Sequence, residues 1–240
     1  DVTMVLQSDI YEAVESHRQE ALELLQTLVR TPSLTGQEKE VQKIIVQKMK
    51  DLQLDVDIWD PPDEELAAHP AYVPVKMSYQ NRPNVVGVYH GLGGGRSLIL
   101  NGHVDVVPTG PEENWQHSPW SGHFEDGKVY GRGSSDMKAG VVTNLLVIQA
   151  LHTAGIKLKG DLIVESVVDE EMGGNGTLAC ILRGYSGDGM IFTEPSGLNV
   201  VAISNRGAQY FRIKVRGQEG GVEYIGIPLE PCRGSGHIAH

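Results

Sequence analysis

The sequence predicts a mixed α/β fold, a largely parallel sheet flanked by helices. Three observations carry this. Short apolar runs of strand length recur along the chain, and amphipathic stretches of helical period alternate with them. The runs at 97–100, 162–168 and 189–192 each lead straight into polar or acidic residues, as strands do when their carboxyl ends line a site.

The elements follow in order. Ile10, Ala13, Val14, Ala21, Leu22, Leu25, Leu28 and Val29 fall at helical spacing, so 9–30 is expected to be one helix, stopped by Pro32. Thr35 and Glu38 have capping-box spacing ahead of a second helix with the stripe Val41, Ile44, Ile45 and Met49. Residues 54–60, LDVDIWD, alternate at period two and read as a strand. The Pro-, Ala- and acid-rich stretch 60–83 reads as a loop. Strands are expected at Asn84–Tyr89 and Ser97–Leu100, joined by a hairpin-like turn through GLGGGR. That turn opens no helix, so it does not read as a phosphate loop. Lys138–Ala154 reads as a helix ending near Gly155, 162–168 as a buried strand and Gly174–Arg183 as a short helix. Gly189–Phe192 and Gln209–Val215 complete the set as strands.

Bulk properties narrow the function. The chain has 240 residues, 40% hydrophobic and 21% charged, and a net charge of -11. An acidic balance argues against a nucleic-acid binder, which needs a basic face. Cys180 and Cys232 match no CxxC spacing, so a disulfide framework is not expected and a reducing compartment fits. No apolar run reaches membrane-span length, and the first twenty residues lack a signal-peptide pattern. The expectation is a cytoplasmic protein.

Five segments carry candidate chemistry. His103 and Asp105 follow the strand at 97–100 two residues apart, so on an extended chain they share a side. An imidazole there can bind a metal while a carboxylate holds its other nitrogen; the plain alternative is a polar pair capping a loop. Asp136, in GRGSSDMKAG, stands where a dinucleotide fingerprint needs glycine, and just before a helix, where it could be an N-cap. Asp169, Glu170 and Glu171 end a buried strand, where adjacent carboxylates repel unless cations neutralise them or water solvates the turn. Glu194 ends another short strand and is followed by Pro195. His237 and His240 close the chain.

Each segment alone is weak. Together they deliver acids and histidines from several strand ends, and an N/O donor set without cysteine suits zinc, cobalt or manganese. Two such cations polarise an amide carbonyl and acidify a water, and one of Glu170 and Glu171 can move protons while the other binds metal. No G-x-S-x-G elbow and no H-E-x-x-H helix competes.

The segments NGHVDVVP, GRGSSDMKAG, DEEMGGNG and TEP resemble, in order, the signatures of the M20 metallopeptidases, over about residues 10–216 and the last fifteen. That family includes acetylornithine deacetylases, succinyl-diaminopimelate desuccinylases, aminoacylases and carboxypeptidases. The resemblance implies a zinc-peptidase catalytic domain with two divalent ions, most simply Zn2+, with Co2+ or Mn2+ as alternatives. It implies that His103 and Glu194 bind one ion, that Glu171 and His240 bind the other and that Asp136 bridges them. Glu170 becomes the general base and Asp105 the partner of His103. The family's ending favours His240 over His237.

The resemblance also implies a lid and dimerisation domain inserted after the strand that ends near Val215. Here 216–226 runs almost directly into the C-terminal motif, and no histidine lies between residues 216 and 236. Either the domain is deleted or the sequence omits stretches of the protein; omission is expected. The expected organisation is a catalytic domain at 1–215, a junction at 216–226 and a return segment at 227–240. The expected activity is removal of an acyl group from an N-acyl amino acid, in the manner of acetylornithine deacetylase. The alternatives are a dipeptidase or carboxypeptidase, a small-amine deformylase, or a silent metal-binding scaffold. A homodimer is expected if the lid is present. Trp115, His117, Trp120 and His123 precede Asp136. They are read as tryptophans that pack a long loop, with exposed histidines.

Overall fold

In a computed structural model, the described residues are 7–197, 200–204 and 213. Contacts divide the chain into Asp1–Leu198 and Asn199–His240. All described helices and strands belong to the first unit. Of the second, residues 200–204 and 213 carry no regular structure. The expected strand at 209–215 (apart from Ile213), the junction, the return segment, His237 and His240 lie outside the described residues.

The apolar stretch at 9–30 forms two helices, α1 (Gln7–Ser16) and α2 (Arg18–Arg30), where one was expected. His17 leaves the helical region at φ -102°, ψ 7°. Its ring lies 2.6 Å from Thr153 Oγ1, and Gln149 Nε2 donates to its other nitrogen at 2.9 Å. A tertiary contact sets this break, and apolar spacing cannot register it. Helix α3 (Lys39–Asp51) buries Val41, Gln42, Ile45 and Met49. The expected capping box does not form: α3 has no side-chain cap. Thr35 donates instead to Asp105, and Glu38 is fully buried beside Arg82.

Strand β1 (Asp55–Trp59) is followed by a short helix, α4 (Asp63–Ala68), inside the stretch expected to be loop. Next come β2 (Asn84–Tyr89), β3 (Leu98–His103), a small hairpin of β4 (His123–Glu125) and β5 (Lys128–Tyr130), and α5 (Ala139–Thr153). Strand β6 (Leu162–Val167), helix α6 (Asn175–Arg183) and β7 (Gly189–Phe192) complete the described elements.

The main sheet has the order β1-β2-β6-β3-β7. β2 is antiparallel to both neighbours, whereas β6, β3 and β7 pair in parallel. Four of the five strands therefore run one way. The Gly-rich segment at 91–96 is consequently not a hairpin turn. β2 and β3 flank β6 on opposite sides, and the segment passes its entry: Leu92 and Gly93 N–H donate to the Leu158 and Lys159 carbonyls at 2.9 and 2.8 Å.

Alternation divides the sheet's side chains between two layers. Val85, Leu100, Leu162 and Val164 pack with Leu28, Ile45, Met49, Leu145 and Ile148 of α2, α3 and α5. Val86, Ile99, Ile163 and Val167 form a smaller cluster with Cys180 of α6, which is a buried core thiol as its apolar helix predicts. β6 is buried along its whole length, as befits a strand covered on both faces. Because β3, β6 and β7 are parallel neighbours, their carboxyl ends open on one edge. His103, Asp169–Glu171 and Glu194 all sit there.

Within the sheet, Glu165 of β6 is 2% exposed and stands opposite Asn101 of β3, whose Nδ2 donates to it at 2.7 Å. Burial raises the Glu165 carboxyl above its ordinary value, against the pull of that hydrogen bond. A raised carboxyl pKa contributes stability that is present below the unfolded pKa, about 4.3, and is lost as pH rises through the folded pKa. Glu165→Gln is therefore expected to gain stability on the parent as pH increases, with the difference levelling off above the folded pKa. Urea melts of the two proteins between pH 4 and pH 8 test this. A difference independent of pH would refute it.

Candidate metal centre

His103 ends β3 and is 1% exposed. Its Nδ1–H donates to the Asp105 main-chain carbonyl at 2.9 Å, while the Asp105 carboxylate is 3.6 Å away. Asp105 meets this ring through its main-chain carbonyl, where a carboxylate contact was expected. This tautomer turns the Nε2 lone pair outward. Asp136 Oδ1 lies 3.2 Å from Nε2, Glu194 Oε1 3.6 Å and Glu170 Oε2 3.7 Å. Glu171 joins His103 and Asp136 in a group with ligand atoms within 4.8 Å of one another, and His103, Glu170 and Glu194 form a second such group.

The Asp105 carboxylate has another task. It is fully buried and accepts the Glu170 N–H at 3.1 Å, the Glu171 N–H at 3.3 Å and the Thr35 hydroxyl at 3.0 Å. Burial pushes its pKa up to about 6, against the attraction of His103. One side chain thus ties β3 to the acidic turn after β6.

The three consecutive acids part company. Asp169 takes a left-handed conformation, φ 65°, and its side chain goes into the core. It accepts from Tyr79 OH at 2.6 Å, Asn175 Nδ2 at 3.1 Å and Arg82 Nη2 at 3.3 Å. Arg82 also holds Glu38 through two bonds, of 3.0 and 2.7 Å. Burial opposes the Arg82 charge, and Glu38 and Asp169 more than compensate, which raises its pKa. Asp169 is therefore turned inward and paired with Arg82, and of the three acids Glu170 and Glu171 remain for a cation. Gly176 permits this turn, since a Cβ there would lie 2.0 Å from the Val168 carbonyl oxygen.

Asp136 does not cap a helix. It has φ -114° and ψ 102°, and α5 starts three residues later with Lys138 as its N-cap. Its side chain, 56% exposed, faces His103. Lys138 is fully buried and donates to the Leu28 and Thr31 carbonyls at the end of α2, at 2.8 and 3.0 Å. Burial lowers its pKa to about 7. Glu194 is placed by close packing ahead of it: a Cβ on Gly140 would lie 2.3 Å from the Thr193 carbonyl oxygen, so α5 abuts that backbone.

Around one imidazole, then, stand Asp105, Asp136, Glu170, Glu171 and Glu194. Burial, then Asp136, raises Glu171. Burial raises Glu194 as well, with Glu170 and Asp136 adding to it against the pull of His103. His103 itself is raised: burial disfavours its charge, but Asp105, Glu170 and Glu194 outweigh it. Such crowded acids with one inward-held histidine are a donor set that fits divalent cations.

The loop before Asp136 matches expectation only in part. The tryptophans pack: Trp115 Nε1 donates to the Thr109 carbonyl at 2.9 Å beneath the Arg132 guanidinium, and Trp120 lies over Lys138 Nζ. The histidines do not simply project into solvent. His117 and His123 stack on each other beside Tyr130. The residues sequence reasoning missed are Thr35, Glu38, Arg82 and Lys138. Thr35 and Glu38 signalled a helix cap instead, Arg82 lies between Asn81 and Pro83 with no distinguishing pattern, and Lys138 shows only a charge set between Met137 and Ala139.

Asp105→Asn keeps the shape but turns an amide N–H towards one of the Glu170 and Glu171 N–H groups, which bond to different carboxylate oxygens. Its expected effect is a roughly 10–100-fold loss of divalent-ion affinity, measured by chelator competition; parental affinity would sink the tether. Arg82→Met strands two buried carboxylates and should cost about 3–5 kcal/mol in urea melts. A cost of less than about 1 kcal/mol, as for a surface pair, would contradict the buried network.

The model of Peptidase family M20/M25/M40 matches residues 99–224. The N-formyl-4-amino-5-aminomethyl-2-methylpyrimidine deformylase of Bacillus subtilis is 35% identical over 196 residues, covering 80% of this chain and 42% of that protein. The protein of the same name from Halalkalibacterium halodurans is 37% identical over 188 residues, 76% of this chain and 40% of its own. The chain thus spans about two fifths of the length of these curated relatives. Human carnosine dipeptidase 1 shares the fold, with a TM-score of 0.64 and 18% identity over 78% of this chain and 41% of that one. So does the M20 family metallo-carboxypeptidase Sso-CP2 of Sulfolobus solfataricus, with a TM-score of 0.58 and 20% identity over 72% and 37%. With the family model covering more than half its length, the chain belongs to peptidase family M20/M25/M40.

Proposed function

We propose that the protein is a metal-dependent hydrolase of linear amide C–N bonds that removes a small acyl group from an amine, and that N-formylated small amines are its substrates. The observation that carries the hydrolase reading is His103 Nε2 faced by Asp136, Glu170 and Glu194 within 3.7 Å. The formyl preference rests on the two deformylases, at 35% and 37% identity. It revises the expectation of an acetylornithine-type N-acyl amino acid, which rested on motifs shared across the family.

In this reading His103, Asp136, Glu171 and Glu194 hold two divalent ions, of the zinc class by donor chemistry. As the family resemblance implies, His103 and Glu194 would hold one ion, Glu171 and His240 the other, with Asp136 contributing to both. When bound, the ions polarise the amide carbonyl and acidify water. Glu170 does the proton work. Its main chain is tied to Asp105 while its carboxylate is half exposed beside His103. It takes a proton from the attacking water and delivers it to the leaving amine. Asp105 positions His103 through its carbonyl and Glu170 through its carboxylate.

With this reading we propose the organisation expected from the sequence: a catalytic part to residue 215, a junction at 216–226 where a lid domain would be inserted, and a return segment at 227–240. Homodimerisation through that lid is part of the proposal. A cytoplasmic setting is supported by the cysteine spacing, and no described helix is long and apolar enough to cross a membrane.

The test is a panel of N-formyl, N-acetyl and N-succinyl amines and dipeptides offered to the metal-loaded protein. N-formyl amines are expected to show the highest kcat/KM. Glu170→Gln is expected to lower kcat about 10²–10⁴-fold with metal content unchanged. Parental kcat in that variant would remove Glu170 from the mechanism. A metal-replete protein inert on the whole panel would favour a silent scaffold.

A further inference from the structure

We propose that His117, His123 and Glu125 form a separate site for one divalent transition-metal ion of the zinc class, outside the His103 centre. The β4–β5 hairpin builds it. Asp126 and Gly127 turn the chain with φ 50° and 75°, and pair His123 with Tyr130 and Glu125 with Lys128. His123 and Glu125 are two residues apart on β4, so they share a face. Phe124 between them faces the opposite way, into a groove lined by Leu22 and Leu25 of α2. His117 arrives from the preceding loop and lies over the His123 ring, with centroids 4.2 Å apart and planes 27° apart, and edge-on to Tyr130 at 4.7 Å.

The framework is held from outside the cluster. Arg30 Nε donates to the Ser121 carbonyl at 2.9 Å, and Gln26 Nε2 to the Gly122 carbonyl at 2.8 Å. These bonds fasten the loop between the two histidines to α2. The ligand side chains are therefore brought together by the backbone and by α2.

The spacing suits an ion. Glu125 Oε2 lies 3.7 Å from His117 Nε2 and 3.8 Å from His123 Nε2, and one ligand atom of each residue lies within 4.8 Å of the other two. A tetrahedral ion with bonds of about 2.0–2.1 Å separates its ligands by roughly 3.3–3.4 Å. The two histidine–glutamate pairs must close by about 0.3–0.5 Å, and the two histidines by at most about 1.5 Å, to meet that geometry. The terminal torsion of histidine is broad, so both rings can turn out of the stack to aim their in-plane lone pairs at one ion. His117 Nε2 is buried and has no hydrogen-bond partner among the described residues, a state that a bound ion relieves. His123 and Glu125 have side chains 42% and 52% exposed, which leaves a side open for water to complete the coordination. Two imidazoles and one carboxylate favour zinc, nickel or copper over magnesium and calcium. An ion here fastens the loop that leads through Gly131–Gly133 to Asp136, without taking part in chemistry at His103.

Zinc stoichiometry after equilibrium dialysis against zinc chloride tests the site. The His103→Ala, Asp136→Asn double variant removes the His103 centre and is expected to retain one zinc per chain. Adding His117→Ala and His123→Ala should abolish that zinc, together with the zinc-induced rise in Tm. Glu125→Gln preserves shape and fold and should weaken the remaining zinc by roughly tenfold or more. Absence of zinc from the first double variant, or its persistence once both hairpin histidines are gone, would overturn the proposal. Neither result bears on the amide-hydrolase reading, which rests on other residues.

Discussion

The candidate centre depends on a single buried carboxylate. Asp105 lies beyond the last residue of β3 and grips the next strand's turn by its main chain, through the N–H groups of Glu170 and Glu171. Its own carbonyl fixes the ring of His103. A carboxylate without exposure costs free energy unless its acceptor capacity is filled, and here two backbone donors, a hydroxyl and a nearby imidazole fill it. Displacing Asp105 would release the histidine and the two glutamates together.

The sheet makes that tether short. Parallel β3 and β6 run in register, with His103 opposite Val167, so the residues just past each strand emerge side by side. β7 pairs with the other edge of β3 and brings Glu194 to the same rim. Behind the rim, Tyr79, Asn175 and Arg82, the last itself held by Glu38, keep Asp169 inside the protein. The acidic turn is thereby pinned from both sides, by Asp105 in front and by Arg82 behind. Hydrophobic layers set the strands, and two polar anchors set the last few residues.

Most of the fold was legible in the sequence because its signals are local. Strand-length apolar runs, helical stripes and acids at strand ends are properties of consecutive residues, and they located β2, β3, β6, β7, α3, α5 and α6. Pairing order is not local. Nothing in GLGGGR tells that β6, some seventy residues later, will insert between β2 and β3, and the hairpin expectation failed there. The same reason hid the partners of the site. Thr35 and Glu38 have the spacing of a helix cap, and only the folded chain presents Asp105 and Arg82 to them. Asp169 is chemically like its two neighbours in sequence, and a positive φ sends it the other way. His103, Asp136, Glu170, Glu171 and Glu194 were legible as a set, and the structure brings these five together; how labour is divided among them is a matter of proposal.

A grip on main-chain N–H groups is indifferent to the side chains they carry. Asp105 would hold positions 170 and 171 equally well whatever residues stood there, proline excepted. Geometry and chemistry are therefore separately adjustable at this rim. Replacements at 170 or 171 leave the turn in place and report on proton transfer at one position and on ion binding at the other, without rebuilding the scaffold.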